Sequence, residues 1–265
     1  MSEHETGQIA ASAAEIYEQF FVPALFIDWP PRVLAAADVQ AGHRVLDVAC
    51  GTGVLAREAK RVVGAQGSVV GVDINNDMLA VARAKSANVS WRNDAAESLP
   101  FENASFDRVV SQFGLMFFQD RTKAVSEMLR VVRPGGKIGV AVWASLNDTP
   151  GYAVVAEILQ ELFGPDVSKS IEVPYLLGDI DVLRALFAAA GANEITARRV
   201  VGKARFASVE SWIYTDIKGW TLADVIDDEG YERLKREAPK KLSRFVLSDG
   251  SVEFDAPAHL ITVSA

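Results

Sequence analysis

Residues 45–56 read Val-Leu-Asp-Val-Ala-Cys-Gly-Thr-Gly-Val-Leu-Ala. An apolar run that ends in Gly51-Thr-Gly53 is typical of a buried parallel strand followed by a tight turn, and the amphipathic residues beyond it predict a helix. Gly51 and Gly53 lack a Cβ, so a ligand can lie against the backbone there. The first turn of the following helix presents free N–H groups to that ligand. The stretch therefore predicts a ligand-binding turn of an α/β sheet.

Two acids lie close to this turn. Ser68–Asp73 reads as a second strand and ends in an acid about twenty residues after the glycines, a spacing at which an acid can hold ribose hydroxyls. Asp47 lies inside the first strand, before Gly51. A buried carboxylate is costly unless it is paired, so we expect Asp47 to face a cation or a hydrogen-bond donor. Such a carboxylate would repel a pyrophosphate and attract an ammonium group.

The stretch resembles the nucleoside-binding motif of class I S-adenosylmethionine-dependent methyltransferases. The resemblance continues through Gly-Val-Asp-Ile-Asn at 71–75, Asn-Asp-Ala-Ala-Glu-Ser-Leu-Pro-Phe at 93–101, Phe-Asp-Arg-Val-Val-Ser-Gln at 106–112 and Leu-Arg-Val-Val-Arg-Pro-Gly-Gly-Lys at 129–137. It is greatest for the small-molecule branch that contains the ubiquinone/menaquinone-type enzymes. It covers residues 43 to 145 well and the rest of the chain poorly.

The resemblance implies a Rossmann-like α/β fold. We expect a doubly wound seven-stranded sheet whose last strand is antiparallel and lies between strands five and six. Residues 1–265 would form a single methyltransferase domain, with an N-terminal helical lid at 1–40 and a cofactor-binding core at 43–145. The substrate-side half at 146–265 would carry a helical insertion at about 208–250, before the last strand.

Local patterns predict the bounds of several elements. A helix at 10–21 would be interrupted by Pro23. The first crossover helix would span 54–63, and Asn75 or Asn76 would cap the next helix, which runs to Lys85. Residues 174–179 read as a loop, 194–206 as strand six, and 252–263 as the last strand, interrupted by Pro257.

The resemblance also implies S-adenosylmethionine as cofactor, with S-adenosylhomocysteine as product. Asp73 would bind the ribose, Ile74 and Met78 would flank the adenine, and Asp94 with the Ala95 N–H would read its edge. The residues expected at the methionine end and sugar are Asp47, Ala49, Gly51 and Gly53, with Gln112 near the methionine part and Tyr17 on the lid.

Aromatic residues fall in segments expected at the C-terminal edge of the sheet, and they predict an apolar acceptor site. The predicted substrate-binding residues are Phe113, Trp143, Tyr175, Trp212 and Tyr214, and Tyr152 and Trp220 fall in the same segments. The alternative interpretation is that some of these rings form the insertion's own small core. The resemblance leaves open which acceptor is used and whether N, O or C is methylated.

No catalytic residue is predicted. His4 lies in a polar tail, His43 at the N-terminal edge of the sheet and His259 in a late strand, so none is placed as a general base. In-line transfer from a sulfonium depends largely on positioning, which can account for roughly 7–11 kcal/mol of a barrier. The lack of a base favours an amine, an activated carbon or an already acidic hydroxyl as acceptor.

Composition limits the partners. The 265 residues carry a net charge of −8 and no basic run, which argues against duplex nucleic acid. No apolar stretch of about 18 residues predicts a membrane span, and the polar N-terminus is unlike a signal peptide. A single cysteine fits a reducing cytoplasm, and so few cysteines and histidines predict no metal site. The oligomeric state stays open.

Two other functions remain as alternatives. A nicotinamide-dependent oxidoreductase would need room for a pyrophosphate at Gly51-Thr-Gly53, which Asp47 disfavours. A non-catalytic cofactor-binding partner protein is the second alternative, because the motifs bear only on cofactor binding.

Overall fold

A computed structural model describes residues 11–219, 222 and 225–265. Trp220 and His4 lie outside the described residues. The described strands are β1 (Arg44–Val48), β2 (Ser68–Asp73), β3 (Ser90–Asn93), β4 (Phe106–Gln112), β5 (Val132–Trp143), β6 (Glu194–Val200), β7 (Lys203–Phe206), β8 (Val252–Asp255) and β9 (Ala258–Ser264). The described α-helices are α1 (Ala11–Ile16), α2 (Pro30–Ala36), α3 (Val54–Val63), α4 (Asn76–Lys85), α5 (Arg121–Val131), α6 (Pro150–Phe163), α7 (Pro165–Glu172), α8 (Ile180–Ala189), α9 (Val209–Lys218) and α10 (Asp228–Leu242).

Seven strands form the central sheet, in the order β3-β2-β1-β4-β5-β9-β6. Neighbouring strands are parallel, except that β9 runs antiparallel to both β5 and β6. The predicted fold class, including the position of the last strand, is therefore confirmed. The strand order reverses between β1 and β4, and in open α/β sheets ligands bind outside the carboxyl ends of the strands at such a point.

Local sequence signals explain the first two βα units. β1 is buried along its length after Arg44, and α3 covers the sheet with an apolar face that includes Leu55 and Ala59. Asn75 caps α4, because its side chain accepts hydrogen bonds from the N–H groups of residues 77 and 78. Helix α3 has the predicted bounds, and the predicted cap of α4 is confirmed.

The N-terminal helix continues beyond the predicted break at Pro23. α1 passes directly into a π-helical segment, Tyr17–Phe26, that contains this proline. The Ile27 N–H donates to the carbonyl of Val22, a five-residue spacing that widens the turn. The helix continues because the residues around the proline are buried in the core, so tertiary packing outweighs the local propensity of proline to end a helix.

Two predicted long strands are each divided. The predicted strand at 194–206 separates into β6 and β7 at Gly202, where a Cβ would lie 2.5 Å from the Trp29 ring. The predicted strand at 252–263 separates into β8 and β9 around Pro257, which has no N–H for a strand ladder. β7 and β8 leave the central sheet and pair with each other as an antiparallel ribbon.

The predicted insertion at about 208–250 contains α9 and α10, which pack on each other. α10 also packs against α6. Helix α7 was not predicted, and the segment predicted as a loop at 174–179 begins with a short 3-10 turn, Val173–Tyr175. Among the helices of the described residues, none is long and apolar enough to cross a membrane.

Candidate functional site

A cavity opens at the carboxyl ends of β1, β2, β4 and β5, where the strand order reverses. It encloses about 1430 Å³ of space free of protein atoms, its opening to solvent included. Two acids, Asp47 and Asp73, and stacked aromatic rings such as Phe113 and Trp143 line this same cavity.

The turn after β1 is held in a left-handed conformation. Ala49 has φ 56° and Gly51 has φ 54°, a region that is costly for a residue with a side chain. Gly114 lies against Ala49, and a Cβ on Gly114 would be 2.5 Å from the Cβ of Ala49. The Cys50 N–H is tied to the carbonyl of Val72 on β2 at 3.0 Å. The backbone of this turn is thereby fixed where it lines the cavity.

Asp47 is 1% exposed. Neither of its carboxylate oxygens has a hydrogen-bond partner within the part of the chain that is described. Burial, and then the negative charge of Asp73, raise the pKa of Asp47 well above its usual range, while the Ala56 N–H acts in the opposite direction. An unpaired buried carboxylate is costly, so Asp47 is placed to receive a cation or a donor from a ligand.

Asp73 stands at the end of β2, and its two carboxylate oxygens accept backbone hydrogen bonds. Gly51 N–H donates to Oδ2 at 2.8 Å, and Asn75 N–H donates to Oδ1 at 2.8 Å. Burial raises the pKa of Asp73, and these backbone donors act in the opposite direction. A carboxylate oxygen can accept more than one hydrogen bond, so both oxygens keep capacity for ligand hydroxyls.

Four aromatic residues, Tyr17, Phe26, Phe113 and Trp143, form what we call the aromatic wall of the cavity. The Phe113 and Trp143 rings are stacked with centroids 3.8 Å apart, and Phe26 lies 5.6 Å from Phe113 and 5.2 Å from Tyr17. Phe113 has φ 56°. Backbone strain of this kind persists where the surroundings enforce it and is frequent at functional sites.

Arg57 on α3 connects the N-terminal helix to the glycine turn. Its guanidinium donates to Oε1 of Glu18 at 2.9 Å and also to the carbonyl of Thr52. Glu18 lies in the same helical segment as Phe21 and Phe26, and both of these rings line the cavity. The N-terminal helix is thereby held across one side of the site.

Most of the predicted site residues line the cavity. They are Tyr17, Asp47, Ala49, Gly51, Asp73, Ile74, Met78, Gln112, Phe113, Trp143 and Tyr175. Gly53, Asp94 and Ala95 do not line it. Gly53 precedes α3 with φ 86° and lies against the Trp91 ring. The Asp94 N–H donates to the carbonyl of Asp73, so Asp94 lies next to the end of β2.

Two of the predicted substrate-binding residues are corrected by the structure. Trp212 is fully buried and packs between Phe206 at 5.3 Å and Phe254 at 4.7 Å, so it belongs to the core of the insertion and the ribbon. Tyr214 packs edge-on against Phe20 at 5.6 Å and does not line the cavity. The alternative interpretation, rings that pack in a core away from the cavity, fits Trp212, whereas Tyr214 packs on the N-terminal helical segment.

The sequence reasoning missed Asp216 and Phe26 as cavity residues, whereas Tyr152, which falls in a segment expected at the acceptor site, does line the cavity. Asp216 is 2% exposed and lines the cavity, and the Tyr152 hydroxyl donates to its Oδ1 at 3.0 Å. Burial raises the pKa of Asp216 to about 8, although the Tyr152 hydroxyl acts in the opposite direction. One signal was available: Asp216 is four residues after Trp212, a spacing that places the two side chains on the same face of a helix.

The residues present fit S-adenosylmethionine, which carries an ammonium group and ribose hydroxyls. Asp47 offers two unpaired carboxylate oxygens, Asp73 has acceptor capacity for hydroxyls, and the left-handed turn at Gly51 leaves backbone without a side chain beside them. A pyrophosphate would meet two carboxylates at the same place, so this geometry disfavours a dinucleotide.

A family model described as a methyltransferase domain matches residues 45–136. The ubiquinone/menaquinone biosynthesis C-methyltransferase UbiE of Pseudomonas paraeruginosa is 34% identical over 190 residues, which cover 66% of this chain and 74% of that protein. The demethylmenaquinone methyltransferase of Shouchella clausii is 35% identical over 190 residues, 66% of this chain and 80% of that protein.

Solved structures show the same fold. Phosphoethanolamine N-methyltransferase 2 of Haemonchus contortus, in complex with S-adenosyl-L-methionine, superposes with a TM-score of 0.62 at 22% identity, over 96% of this chain and 57% of that chain. The YcgJ protein of Bacillus subtilis gives 0.58 at 21% identity, over 89% and 97%. These structures support the fold assignment. The family assignment depends on the curated relatives, which are more similar in sequence.

The cofactor and enzyme predictions are thereby confirmed, and methyl transfer is supported over the oxidoreductase and the non-catalytic alternatives. The chain belongs to the class I S-adenosylmethionine-dependent methyltransferases, of the ubiquinone/menaquinone type.

Proposed function

We propose that this chain transfers the methyl group of S-adenosylmethionine to a small, flat, phenolic acceptor that lies against the aromatic wall. The observation that carries the proposal is a single cavity with two kinds of lining: the carboxylates of Asp47 and Asp73 in one part, and stacked rings such as Phe113 and Trp143 in another. The curated relatives are named for methylation in quinone biosynthesis, and a reduced quinone is a flat phenol.

The cofactor would occupy the part with the carboxylates. Asp47 would receive the ammonium group of the methionine end, and Ala49 and Gly51 would supply the backbone beside it, with Gly53 ending the turn in a left-handed conformation. Asp73 would accept hydrogen bonds from the ribose hydroxyls. Orphaned oxygens on Asp47 and backbone donors already arranged around Asp73 support this placement.

The adenine would lie at the outer end of the site. Ile74 is 57% exposed and Met78 lines the cavity, so the two side chains offer apolar surfaces for the two faces of the base. Asp94 and the Ala95 N–H would read its edge, next to Asp73. Gln112 would approach the methionine part, because it ends β4 and its side-chain oxygen has no partner in the described part of the chain.

The acceptor would stack on the aromatic wall, with Tyr175 closing the same side. Offset and edge-on aromatic contacts each contribute about 0.5–1.5 kcal/mol beyond burial of area. S-adenosylmethionine supplies an electrophilic methyl group, and the chain's own residues orient the acceptor and exclude water. Positioning of this kind accounts for much of the barrier reduction in a displacement between two bound molecules.

The N-terminal segment at 1–40 is proposed as the lid over this site, and residues 43–145 as the cofactor-binding core. The Glu18–Arg57 contact and the lining by Phe21 and Phe26 support the first part of that division. A small-molecule acceptor, rather than nucleic acid, fits the net charge of −8. A cytoplasmic location stays a prediction from cysteine content.

The test is a turnover assay with 1,4-dihydroxynaphthalene, kept reduced under nitrogen, and 1,4-dimethoxynaphthalene as matched control. We expect S-adenosylhomocysteine and a singly methylated product with the hydroquinone, and background with the control, because the ether has no phenolic electron pair that deprotonation can activate. Equal, background turnover with both compounds would exclude a phenolic acceptor of this size.

A further inference from the structure

Asp216 on α9 places a carboxylate in the apolar part of the cavity. It is 2% exposed and lines the cavity together with Tyr152 and Tyr175. Its Oδ1 accepts the Tyr152 hydroxyl at 3.0 Å. Its Oδ2 is buried and has no partner among the residues described. One oxygen is therefore fixed in place and the other is left for something that the cavity receives.

A purely structural role accounts poorly for this arrangement. A buried carboxylate is costly unless its hydrogen bonds are satisfied, and replacement of a buried polar group by an apolar one of similar shape is often neutral or stabilising. The Trp212 indole N–H is close enough to lower the pKa of Asp216, but it is itself buried without a hydrogen-bond partner, so it does not satisfy Oδ2. The unpaired oxygen resembles that of Asp47, which also lines the cavity.

Among the residues that the structure describes, no cation is found to lower the pKa of Asp216. The Tyr152 hydroxyl of α6 and the Trp212 indole of α9 both lower the pKa of Asp216. The negative charge of Asp216 in turn raises the pKa of Tyr175, which lies in the 3-10 turn. Burial raises the pKa of the Tyr152 and Tyr175 hydroxyls well above their usual range, so both stay neutral. Burial also raises the pKa of Asp216 to about 8, which is suitable for proton transfer near neutral pH.

We propose that Asp216 is the general base of methyl transfer, and that its Oδ2 takes the hydroxyl proton of the phenolic acceptor. The proposal rests on the phenolic acceptor of the proposed function and assigns a residue to a step that the sequence left without one. Tyr152 is a positioning residue, because its hydroxyl holds Oδ1 and so directs Oδ2 towards the cavity.

The step balances without any further reactant. The phenolic O–H bond breaks as its proton moves to Asp216, and the electron pair that is released on the oxygen is shared with the ring. A new bond forms from that oxygen, or from the ring carbon conjugated to it, to the methyl carbon. The methyl–sulfur bond breaks and its electron pair stays on sulfur, which becomes neutral. After attack by carbon, the ring proton leaves to solvent and the oxygen recovers a proton.

The first arm of the test measures binding without turnover, in the presence of saturating S-adenosylhomocysteine. The probes are 1-naphthol and 1-methoxynaphthalene, which differ in the hydroxyl hydrogen. We expect wild type to bind 1-naphthol about tenfold more tightly or better, and Asp216→Leu to bind the two probes equally. Asp228→Asn, an acid on α10 whose side chain is fully exposed, is the matched control and keeps the wild-type preference.

The second arm measures turnover of 1,4-dihydroxynaphthalene by Asp216→Asn, which keeps the shape of the side chain but not its basicity. We expect kcat to fall by about 10²–10⁴-fold with KM within about threefold of wild type. In wild type kcat/KM should rise with pH and level off above about 8, whereas in the variant it should follow the ionisation of the phenol itself. Tyr152→Phe should shift the wild-type profile without abolishing turnover.

The outcomes separate the two proposals. If wild type binds 1-naphthol and Asp216→Leu retains the preference over the ether, or if Asp216→Asn keeps kcat within about threefold, the assignment of Asp216 is wrong and the phenolic acceptor stands. If wild type binds neither naphthalene and methylates no hydroquinone, both proposals fail. The affinity for S-adenosylhomocysteine is measured in each variant, and a wild-type value shows that the variant is folded and that the substitution acts on the acceptor step.

Discussion

The backbone N–H of Gly51 donates a 2.8 Å hydrogen bond to the carboxylate of Asp73. This contact joins the glycine turn after β1 to the acid at the end of β2. The two features that the sequence places about twenty residues apart are thus one unit in space. Removal of the Asp73 carboxylate is therefore expected to weaken the binding of ligand hydroxyls and also to release the glycine turn from its position.

Asp73→Ala is expected to weaken binding of S-adenosylhomocysteine. Each hydrogen bond to a charged group contributes about 1.5–3 kcal/mol, so the loss of even one ribose contact corresponds to at least a tenfold change in affinity. Calorimetric titration measures it. Glu102→Gln, an exposed acid away from the cavity, is the matched control and should bind as wild type does. Unchanged affinity in folded Asp73→Ala would contradict the ribose assignment.

Gly53→Ala is expected to destabilise the fold more than Gly42→Ala. Both residues have a positive φ, of 86° and 83°, so each alanine costs about 1–2 kcal/mol in backbone strain. A Cβ on Gly53 would also overlap the Trp91 ring, whereas a Cβ on Gly42 would meet nothing within 4 Å among the described residues. Overpacking adds about 1–3 kcal/mol. Chemical denaturation should show this difference, and equal losses would mean that the Trp91 contact is relieved at no cost.

Cofactor binding is expected to release a proton from Asp47. Burial, followed by the charge of Asp73, raises the pKa of Asp47 well above its usual range, and an ammonium group beside it would lower that pKa again. Binding enthalpies of S-adenosylhomocysteine near neutral pH should therefore differ between phosphate and Tris buffers. In Asp47→Asn the difference should disappear. Identical enthalpies for wild type in the two buffers would argue that Asp47 does not meet the cation.

Asp216 is expected to make the unliganded protein less stable as pH rises. Burial raises its pKa to about 8, against 3.8 for an unperturbed aspartate, so the folded state binds more protons than the unfolded state between these values. The free energy of unfolding then falls with rising pH across that window, by up to about 1.4 kcal/mol per pH unit.

Asp216→Asn removes that contribution, so its free energy of unfolding should exceed that of wild type by a growing margin from pH 5 to about 8. Asp228→Asn serves as the control, because this side chain is exposed. Urea denaturation at a series of pH values measures the margin. A constant difference between wild type and Asp216→Asn would show that Asp216 titrates in the folded state as it does in water.

Features that depend on local sequence were predicted well. The glycine turn, the bounds of α3 and the Asn75 cap of α4 follow from residues within a few positions of one another. The position of β9 between β5 and β6 is a long-range property, and it was reached through the family resemblance rather than from the residues of β9 themselves.

The errors arose where distant packing decides the structure. The helix continues past Pro23 because its neighbours are buried in the core. Trp212 packs on rings of the ribbon rather than facing the cavity, because β7 and β8 pair and bring Phe206 and Phe254 to it. Asp216 was missed because its spacing from Trp212 shows that the two share a helix face, but not that Asp216 meets Tyr152.

The central claim of this account is that one cavity holds the cofactor beside Asp47 and Asp73 and the acceptor on the aromatic wall at the same time. The most direct measurement is the affinity of 1-naphthol for the wild-type protein with and without saturating S-adenosylhomocysteine. We expect naphthol to bind at least as tightly when the cofactor product is present, because the two occupy separate parts of the cavity. Competitive displacement of naphthol by S-adenosylhomocysteine would contradict the account.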